Sequence, residues 1–320
     1  MLKPYEYSIR IIALFILILL LNIVSPLKTQ VEYVSTDILM VPWGDAPECL
    51  SALWNVSSES PEWRGLIDPP GPFAVSSNGQ LIIAEFNGET ELLKKYDFNG
   101  TLLASLDLRS CGLHIPRSMA INQTGEVLID NYNWDHSAQG SVATLYLFNS
   151  LLQPAGSCNM PGEDIEISRI VSSDTGLFSI RYSTRLDCSN LDSERLYEGY
   201  QITLTRDLIA SAPQLLYSRY ESDPRPLDGY RFNTTLGQFL PFVEDIHGDV
   251  FGQILGEPDF LWICSPEGEL EFSFDLSSES GWERFRAGSQ NWFVTPSGVI
   301  YTIHATSEGV VLTEFIMQLD

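Results

Sequence analysis

The feature that most constrains the fold of this chain is a glycine-centred turn that recurs five times between short apolar stretches. The turn glycines are Gly79, Gly125, Gly176, Gly248 and Gly298, separated by 46, 51, 72 and 50 residues. A period of about 40 to 50 residues is typical of β-propeller blades. The pattern therefore predicts a repeat protein, and the interval of 72 predicts an insertion, placed mostly between Ser211 and Gly237.

Within a repeat, short apolar runs alternate with turns. In the first repeat the predicted strands are Pro72 to Ser76, Leu81 to Phe86, Glu91 to Asp97 and Thr101 to Leu108. A second glycine turn follows at Gly100, because residues that tolerate positive φ are needed where two adjacent strands reverse. The sequence thus predicts an all-β fold, a β-propeller of four-stranded antiparallel blades.

The number of repeats and the end of the last repeat predict how the ring closes. Five blades follow from the five turns, and six would require a highly diverged blade that the sequence does not show. The last repeat ends after the run Val310 to Leu319, one strand short. We expect the segment Val31 to Pro42 to supply that strand and so to cover the open edge of the last blade.

The N-terminus carries an apolar segment over residues 11–27, preceded by Lys3 and Arg10. Residues 1–27 are therefore predicted to form a hydrophobic helix that is a signal anchor or a signal peptide, and residues 28–320 the propeller domain. Ser25 is followed by Pro26 and preceded by bulky residues, which favours an uncleaved anchor. The basic flank orients the propeller outside the cytoplasm, in the periplasm or at the cell surface; secretion is the alternative.

Charge narrows the range of partners. The chain has 42 acidic and 18 basic residues and a net charge of −24. This field repels phosphate backbones and anionic headgroups, so nucleic acid is excluded as a partner and membrane contact is expected through the N-terminal segment only.

Five cysteines suit an oxidising exterior, and the sequence has no Cys-x-x-Cys pair. Cys264 lies within a predicted strand and is expected to be a buried free thiol. The other four allow three pairings, of which adjacency around the ring favours Cys158 with Cys188 and Cys49 with Cys111.

Three segments stand out for their motifs: Val41-Pro-Trp-Gly44, the run from Gly71 to Glu85, and Tyr96-Asp-Phe-Asn-Gly100. Together they resemble bacterial extracytoplasmic propellers of the NHL-like and SMP-30-like kind. The resemblance covers the chain beyond about residue 38 and implies the fold. Those families usually have six blades and commonly read Val-Ala-Asp-x-x-Asn where this chain has Ile83-Ala-Glu-Phe-Asn87, and no metal-ligand set carries over residue by residue.

In a four-stranded propeller blade the first and third turns lie on one face of the ring. The second turns and the connections between blades share the opposite face, which we call the long-loop face. Long loops with aromatic and charged residues on a rigid scaffold are typical of binding sites. Its candidate ligand-binding residues are Glu85, Asp130, Trp134, Asp135, His136, Arg181, Tyr182 and His304.

Each candidate also has a structural interpretation. Trp134 can pack over a neighbouring blade while Asp135 and His136 are solvated. Glu85 and His304 can hydrogen-bond between blades, and Arg181 can pair with a local carboxylate.

The sequence has no nucleophile elbow, phosphate-binding glycine loop, His-Glu-x-x-His helix or EF-hand loop. It favours a module that binds an unknown protein, small-molecule or carbohydrate ligand, and it leans against an enzyme without deciding the question. No catalytic residue, metal ligand or cofactor is assigned. The alternative is a metal-dependent hydrolase or lactonase, which would bring three of Glu85, Asp130, Asn131, His136 and His304 together at the channel mouth.

Overall fold

The computed structural model of the chain describes most of the residues after Val31. The described ranges are 31–51, 53–56, 64–68, 71–86, 90–135, 140–160, 165–173, 175–187, 195–220, 239–244, 250–254, 257–265, 270–275, 292–295, 297–306 and 308–319. Among the described residues, those in the range 35–316 belong to one compact unit, and residues 31–34 with 317–319 belong to another. The predicted N-terminal hydrophobic helix lies outside the described residues.

The chain begins with strand β1 (Val31–Pro42) and a two-stranded hairpin, β2 (Leu53–Val56) with β3 (Arg64–Asp68). The next strands form antiparallel sheets of four consecutive strands. The first two sheets are β4 (Phe73–Ser76), β5 (Gln80–Phe86), β6 (Glu91–Asp97), β7 (Leu102–Asp107), then β8 (Met119–Ile121), β9 (Val127–Asp135), β10 (Gly140–Phe148) and β11 (Pro154–Asn159). Between them lies a 3-10 helix at Arg109–Cys111.

Two further sheets continue the same pattern. They are β12 (Ile165–Ser172), β13 (Phe178–Asp187), β14 (Arg195–Leu204), β15 (Gln214–Tyr220), then β16 (Phe239–Glu244), β17 (Val250–Ile254), β18 (Glu257–Cys264) and β19 (Leu270–Asp275). Strand β15 occupies part of the stretch that was predicted to be an insertion. That prediction was wrong there, because Gln214-Leu-Leu-Tyr pairs with β14 as the outer strand of its blade.

The closing sheet combines the two ends of the chain, as predicted. Its order is β1, β22 (Gly309–Leu319), β21 (Ile300–Ala305) and β20 (Trp292–Val294). The indole Nε1 of Trp43 donates to the carbonyl of Thr306 at 2.8 Å, and the backbone N–H of Trp43 donates to the carbonyl of Glu308 at 3.1 Å. The prediction of an all-β propeller of four-stranded antiparallel sheets is confirmed.

The turn signature has the backbone conformation that it predicted. Gly79, Gly125, Gly176 and Gly298 have φ of 79°, 79°, 78° and 81°, a region in which a side chain is strained. Gly248 lies outside the described residues.

The first strand of each sheet lies innermost. β4 packs beside β8, β8 beside β12, β12 beside β16, and β20 beside β4. The burial patterns agree: β4, β8 and β20 are buried at every position, whereas the last strand β7 alternates between half-buried and exposed. Because an inter-blade connection precedes each innermost strand, that strand begins at the long-loop face.

Candidate functional site

A buried charge lies among the innermost strands. Arg169 in β12 extends its guanidinium to Trp292 in β20, although the sheet β16–β19 separates these two strands along the chain. Nη2 donates to the carbonyl oxygen of Trp292 at 3.3 Å, and the guanidinium carbon lies 4.4 Å from the Trp292 ring centroid and 5.9 Å from that of Phe293. Phe73 of β4 packs against Phe293 with centroids 6.5 Å apart. We call these four residues the central cluster.

The electrostatics of Arg169 are unusual for a charged side chain. Arg169 is 2% exposed, and its Nε is buried without a hydrogen-bond partner in the described part of the chain. Burial, with a smaller effect of the like charge of Arg181, lowers the pKa of Arg169 to about 9. Two aromatic faces and one carbonyl are thus the recorded contacts of a group that normally requires a counter-charge when it is buried.

Sequence reasoning missed Arg169, although a signal was present. In Ile165-Glu-Ile-Ser-Arg169 the apolar residues alternate with polar ones, so Arg169 falls on the apolar side of the strand. A register shift between Ile167 and Arg169 interrupts the pairing with β13 at this point. A charged residue at an apolar position of an alternating strand is the sequence signal of this cluster.

Glu85, a predicted ligand-binding residue, forms an ion pair within its own blade rather than a hydrogen bond between blades. Its carboxylate lies 2.7 Å from Lys94 Nζ and accepts a hydrogen bond from the backbone N–H of Ser51 at 2.8 Å. Lys94 also donates to the carbonyl of Cys49. Both charged side chains are nearly inaccessible to solvent, so this ion pair holds the segment after β1 against the first blade.

Asp130 in β9 is fully buried beside the start of β8. Its Oδ1 accepts hydrogen bonds from the backbone N–H groups of Arg117 at 2.8 Å and Ser118 at 2.9 Å, whereas Oδ2 has no hydrogen-bond partner among the described residues. Desolvation raises the pKa of Asp130 to about 6, against the opposing effect of those two hydrogen bonds. A buried carboxyl with a pKa near neutrality can hold or release a proton at physiological pH.

A second acidic residue anchors the same inter-blade connection from the other side. Glu91 Oε1 accepts a hydrogen bond from Arg109 Nε at 2.9 Å and lies 3.4 Å from His114 Nδ1, and Oε2 accepts from the N–H of Ile115 at 2.8 Å. Burial raises the pKa of Glu91, but the hydrogen bonds from Arg109, Ile115 and His114 outweigh it and lower the pKa overall.

Other predicted site residues are dispersed. Tyr182 is buried and stacks on Tyr200 with centroids 5.6 Å apart, so it belongs to the core. Arg181 is half-buried and donates from Nε to Gln201 Oε1 at 2.9 Å, and His304 is half-buried in β21.

The Trp134 cluster is described only in part. Trp134 and Asp135 lie in β9, where they pair with Ser141 and Gly140 of β10. His136 lies outside the described residues, so its prediction stays untested.

The described residues do not fit a metal centre. Within the ranges that the structure describes, no three His, Cys, Asp or Glu side chains stand close enough to hold an ion. Glu85 is paired with Lys94, and Asp130 accepts hydrogen bonds from backbone N–H groups.

The disulfide predictions need correction. Cys49, Cys111 and Cys158 are unbridged. Cys111 is exposed at the 3-10 helix, whereas Cys49 is half-buried near Gly44. Cys158 lies in the outer strand β11, where it packs against buried apolar residues. Cys188 lies outside the described residues, and Cys264 is buried, as predicted.

No family model and no curated protein matches this chain, but solved structures resemble it. The PQQ-bound aldose sugar dehydrogenase from Streptomyces coelicolor is 9% identical, with 89% of this chain and 99% of that one covered and a TM-score of 0.39. A putative gluconolactonase is 12% identical, with 90% and 93% covered and a TM-score of 0.37. Penicillium chrysogenum α-L-arabinanase, complexed with arabinobiose, is 10% identical, with 88% and 98% covered and a TM-score of 0.40.

The expectation that leaned against an enzyme is not supported by these matches. The three proteins are a dehydrogenase, a putative lactonase and a glycan-degrading enzyme by their descriptions. At identities of 9 to 12% these matches assign no activity to this chain.

Proposed function

We propose that the protein binds a small molecule at the long-loop end of the central cluster, with Arg169 and Trp292 as the principal contacts. This places the site on the face that the sequence favoured, but nearer the axis than the Trp134 loop.

The observation that carries the proposal is the fully buried guanidinium of Arg169, which bridges two sheets that are not consecutive in the chain. An aliphatic or aromatic side chain would fill the same space without the cost of desolvating a charge. Packing alone therefore does not account for an arginine here. Arg and Trp are also the residues that most often dominate binding energy at protein sites.

The test is thermal stabilisation by a panel of neutral sugars, sugar acids and sugar phosphates, measured on the parent protein and on Arg169→Met. We expect at least one class to raise the melting temperature of the parent and not of the variant. Arg206→Met is the matched control, since Arg206 pairs with Glu126 at 3.1 Å beside the glycine turns. Equal stabilisation of the parent and Arg169→Met would place the site elsewhere, and a panel without any effect would contradict the proposal.

Hydrolysis at the same end of the propeller is a second candidate function, favoured by Asp130. A carboxylate with a pKa of about 6 can accept the proton of a water molecule as its oxygen attacks a lactone carbonyl. The ring C–O bond then breaks, and the proton passes to the leaving oxygen. Ser118 connects Asp130 to the strand that carries Arg169. Its N–H donates to Asp130, and its hydroxyl accepts a hydrogen bond of 2.8 Å from the N–H of Ile170, the residue after Arg169.

Proton release from glucono-lactone, above the spontaneous rate, is the assay for this activity. We expect the parent to accelerate hydrolysis and Asp130→Asn to lose the acceleration while it stays folded. Glu126→Gln, on the glycine-turn face, serves as the control acid variant. Equal rates for the parent and Asp130→Asn would leave Asp130 with its structural role alone.

We also propose a blade number, a membrane attachment, a cellular location and a family for this protein. A five-bladed ring is supported by the four consecutive sheets together with the closing sheet of β1 and β20–β22. Membrane attachment through residues 1–27, an extracytoplasmic location and kinship with NHL-like and SMP-30-like propellers are supported by the sequence patterns. Along the described ranges no helix is long and apolar enough to cross a bilayer.

A further inference from the structure

We infer that the central cluster is an anion site, in which a carboxylate or phosphate group of a small ligand forms the ion pair that Arg169 lacks within the described residues. This inference rests on the proposed function of the cluster as a binding site. It specifies the charge of the ligand and the atoms that recognise it.

The first argument is the missing counter-charge. The recorded polar contact of the guanidinium is the carbonyl of Trp292, and the charged group that acts on it is Arg181, which carries the same sign. No carboxylate among the described side chains lies within ion-pair distance of Arg169. A buried cation in this state is costly, and pairing with an anion removes most of that cost.

The second argument is the geometry of the remaining donors. Nη2 is already directed at Trp292 at 3.3 Å, a long hydrogen bond, while Nε is buried without a partner in the described chain. Guanidinium groups bind the two oxygens of a carboxylate or phosphate through paired N–H donors. The Trp292 ring covers one face of the guanidinium at 4.4 Å, which leaves its edge as the binding direction.

The third argument concerns size. The chain carries a net charge of −24, which repels large anionic polymers before they reach the surface. Trp292 is 4% exposed, so access to the guanidinium that it covers is restricted. The ligand that fits these conditions is a small molecule with one anionic group.

The test uses the full-length protein, isothermal titration calorimetry and three probes: sodium gluconate, inorganic phosphate and the neutral polyol glucitol. We expect gluconate or phosphate to bind the parent and glucitol to bind far more weakly. Arg169→Met should weaken anion binding by about 100-fold, and Arg169→Lys by about 10-fold, because lysine keeps the charge but loses the planar pair of donors.

A stability measurement without anion separates this role from a structural one. If Arg169 awaits a ligand, Arg169→Met should melt at the same or a higher temperature than the parent, since a buried unpaired charge has been removed. A clear drop in melting temperature, with unchanged anion affinity, would overturn the inference. Glu244→Gln, at the end of β16 beside β12, should change neither the melting temperature nor the anion affinity. A rise in anion affinity in this variant would identify an internal counter-charge and would also overturn the inference.

The outcomes distinguish this inference from the proposed function. Equal binding of gluconate and glucitol, lost in Arg169→Met, would keep the ligand site and refute its anion selectivity. If neither anion binds but a neutral sugar stabilises the parent in an Arg169-dependent way, the inference fails and the site stands. If no compound of the panel binds, both fail.

Discussion

The hydroxyl of Thr313 in β22 donates a hydrogen bond of 2.7 Å to the carboxylate of Asp37 in β1. These residues belong to the two ends of the chain, and their contact lies within the sheet that closes the propeller. Closure in this way covers the edge of β22, which would otherwise expose unpaired backbone groups. The first strand is therefore a structural element of the last blade.

Gly309 tests this closure. A Cβ atom at Gly309 would lie 2.2 Å from the carbonyl oxygen of Val41 and 2.8 Å from Pro42 Cα, so the backbone would have to move. We expect Gly309→Ala to lower the free energy of unfolding by about 3 kcal/mol or more, measured by urea denaturation. Gly112→Ala, at a φ of 71° with open space around it, should cost only about 1 kcal/mol. Equal costs would contradict tight packing at the junction of β1 with β22.

The buried Glu85–Lys94 pair should show strong coupling in a double-mutant cycle. Lys94→Met leaves a buried carboxylate whose recorded remaining partner is the Ser51 N–H, and we expect a loss of about 3 to 5 kcal/mol. Adding Glu85→Gln should restore part of that loss. The exposed pair Arg117–Glu166, at 3.6 Å, is the control and should couple by less than about 1 kcal/mol. Additive costs at Glu85 and Lys94 would show that the pair does not act as a unit.

Asp130 should make the protein less stable as pH rises through the range from about 4 to about 6. Its pKa is about 6 in the folded chain against 3.8 for an ordinary aspartate, so the folded state binds more protons than the unfolded state in this window. The difference corresponds to about 3 kcal/mol of stability lost by neutral pH. Urea denaturation of the parent minus that of Asp130→Asn isolates this contribution from the other acidic groups. A flat difference between the two proteins across the window would show that burial does not raise this pKa.

The cysteines should behave as thiols with different reactivity. Cys111 is exposed and should be alkylated rapidly in the native protein. Cys158 is half-buried, and desolvation raises the pKa of its thiol, so it should react slowly until the protein is unfolded. Mass spectrometry of alkylated peptides measures both rates. A Cys49–Cys111 or Cys158–Cys188 bridge in non-reducing peptide maps would contradict this prediction.

Local sequence was sufficient for the strands of the first blade. All four were predicted within about one residue of their observed ends, because the turn at Gly79 requires positive φ and short apolar runs flank it. Turns without glycine were not recognisable. Leu152 and Leu208 have φ of 58° and 59°, and the turns Asn149 to Gln153 and Thr205 to Ile209 that contain them carry no sequence signal.

Tertiary packing explains why leucine is tolerated at those two turns. Leu152 is buried in the core, and Leu208 packs against the apolar cluster of the neighbouring sheet, so burial offsets the strain of left-handed backbone. This compensation depends on neighbours that are distant in sequence, and a local pattern cannot reveal it.

The candidate site shows the same difference between what local sequence determines and what tertiary packing determines. The sequence by itself determined the repeat, the strand pattern and the pairing of the first strand with the last blade, because these follow from turn chemistry and alternation within short segments. Only the tertiary structure decided that Glu85 is neutralised by Lys94, that Tyr182 is core, and that Arg169 meets Trp292. Those contacts join residues from separate strands or blades, and burial and charge pairing are properties of the assembled sheets rather than of any one strand.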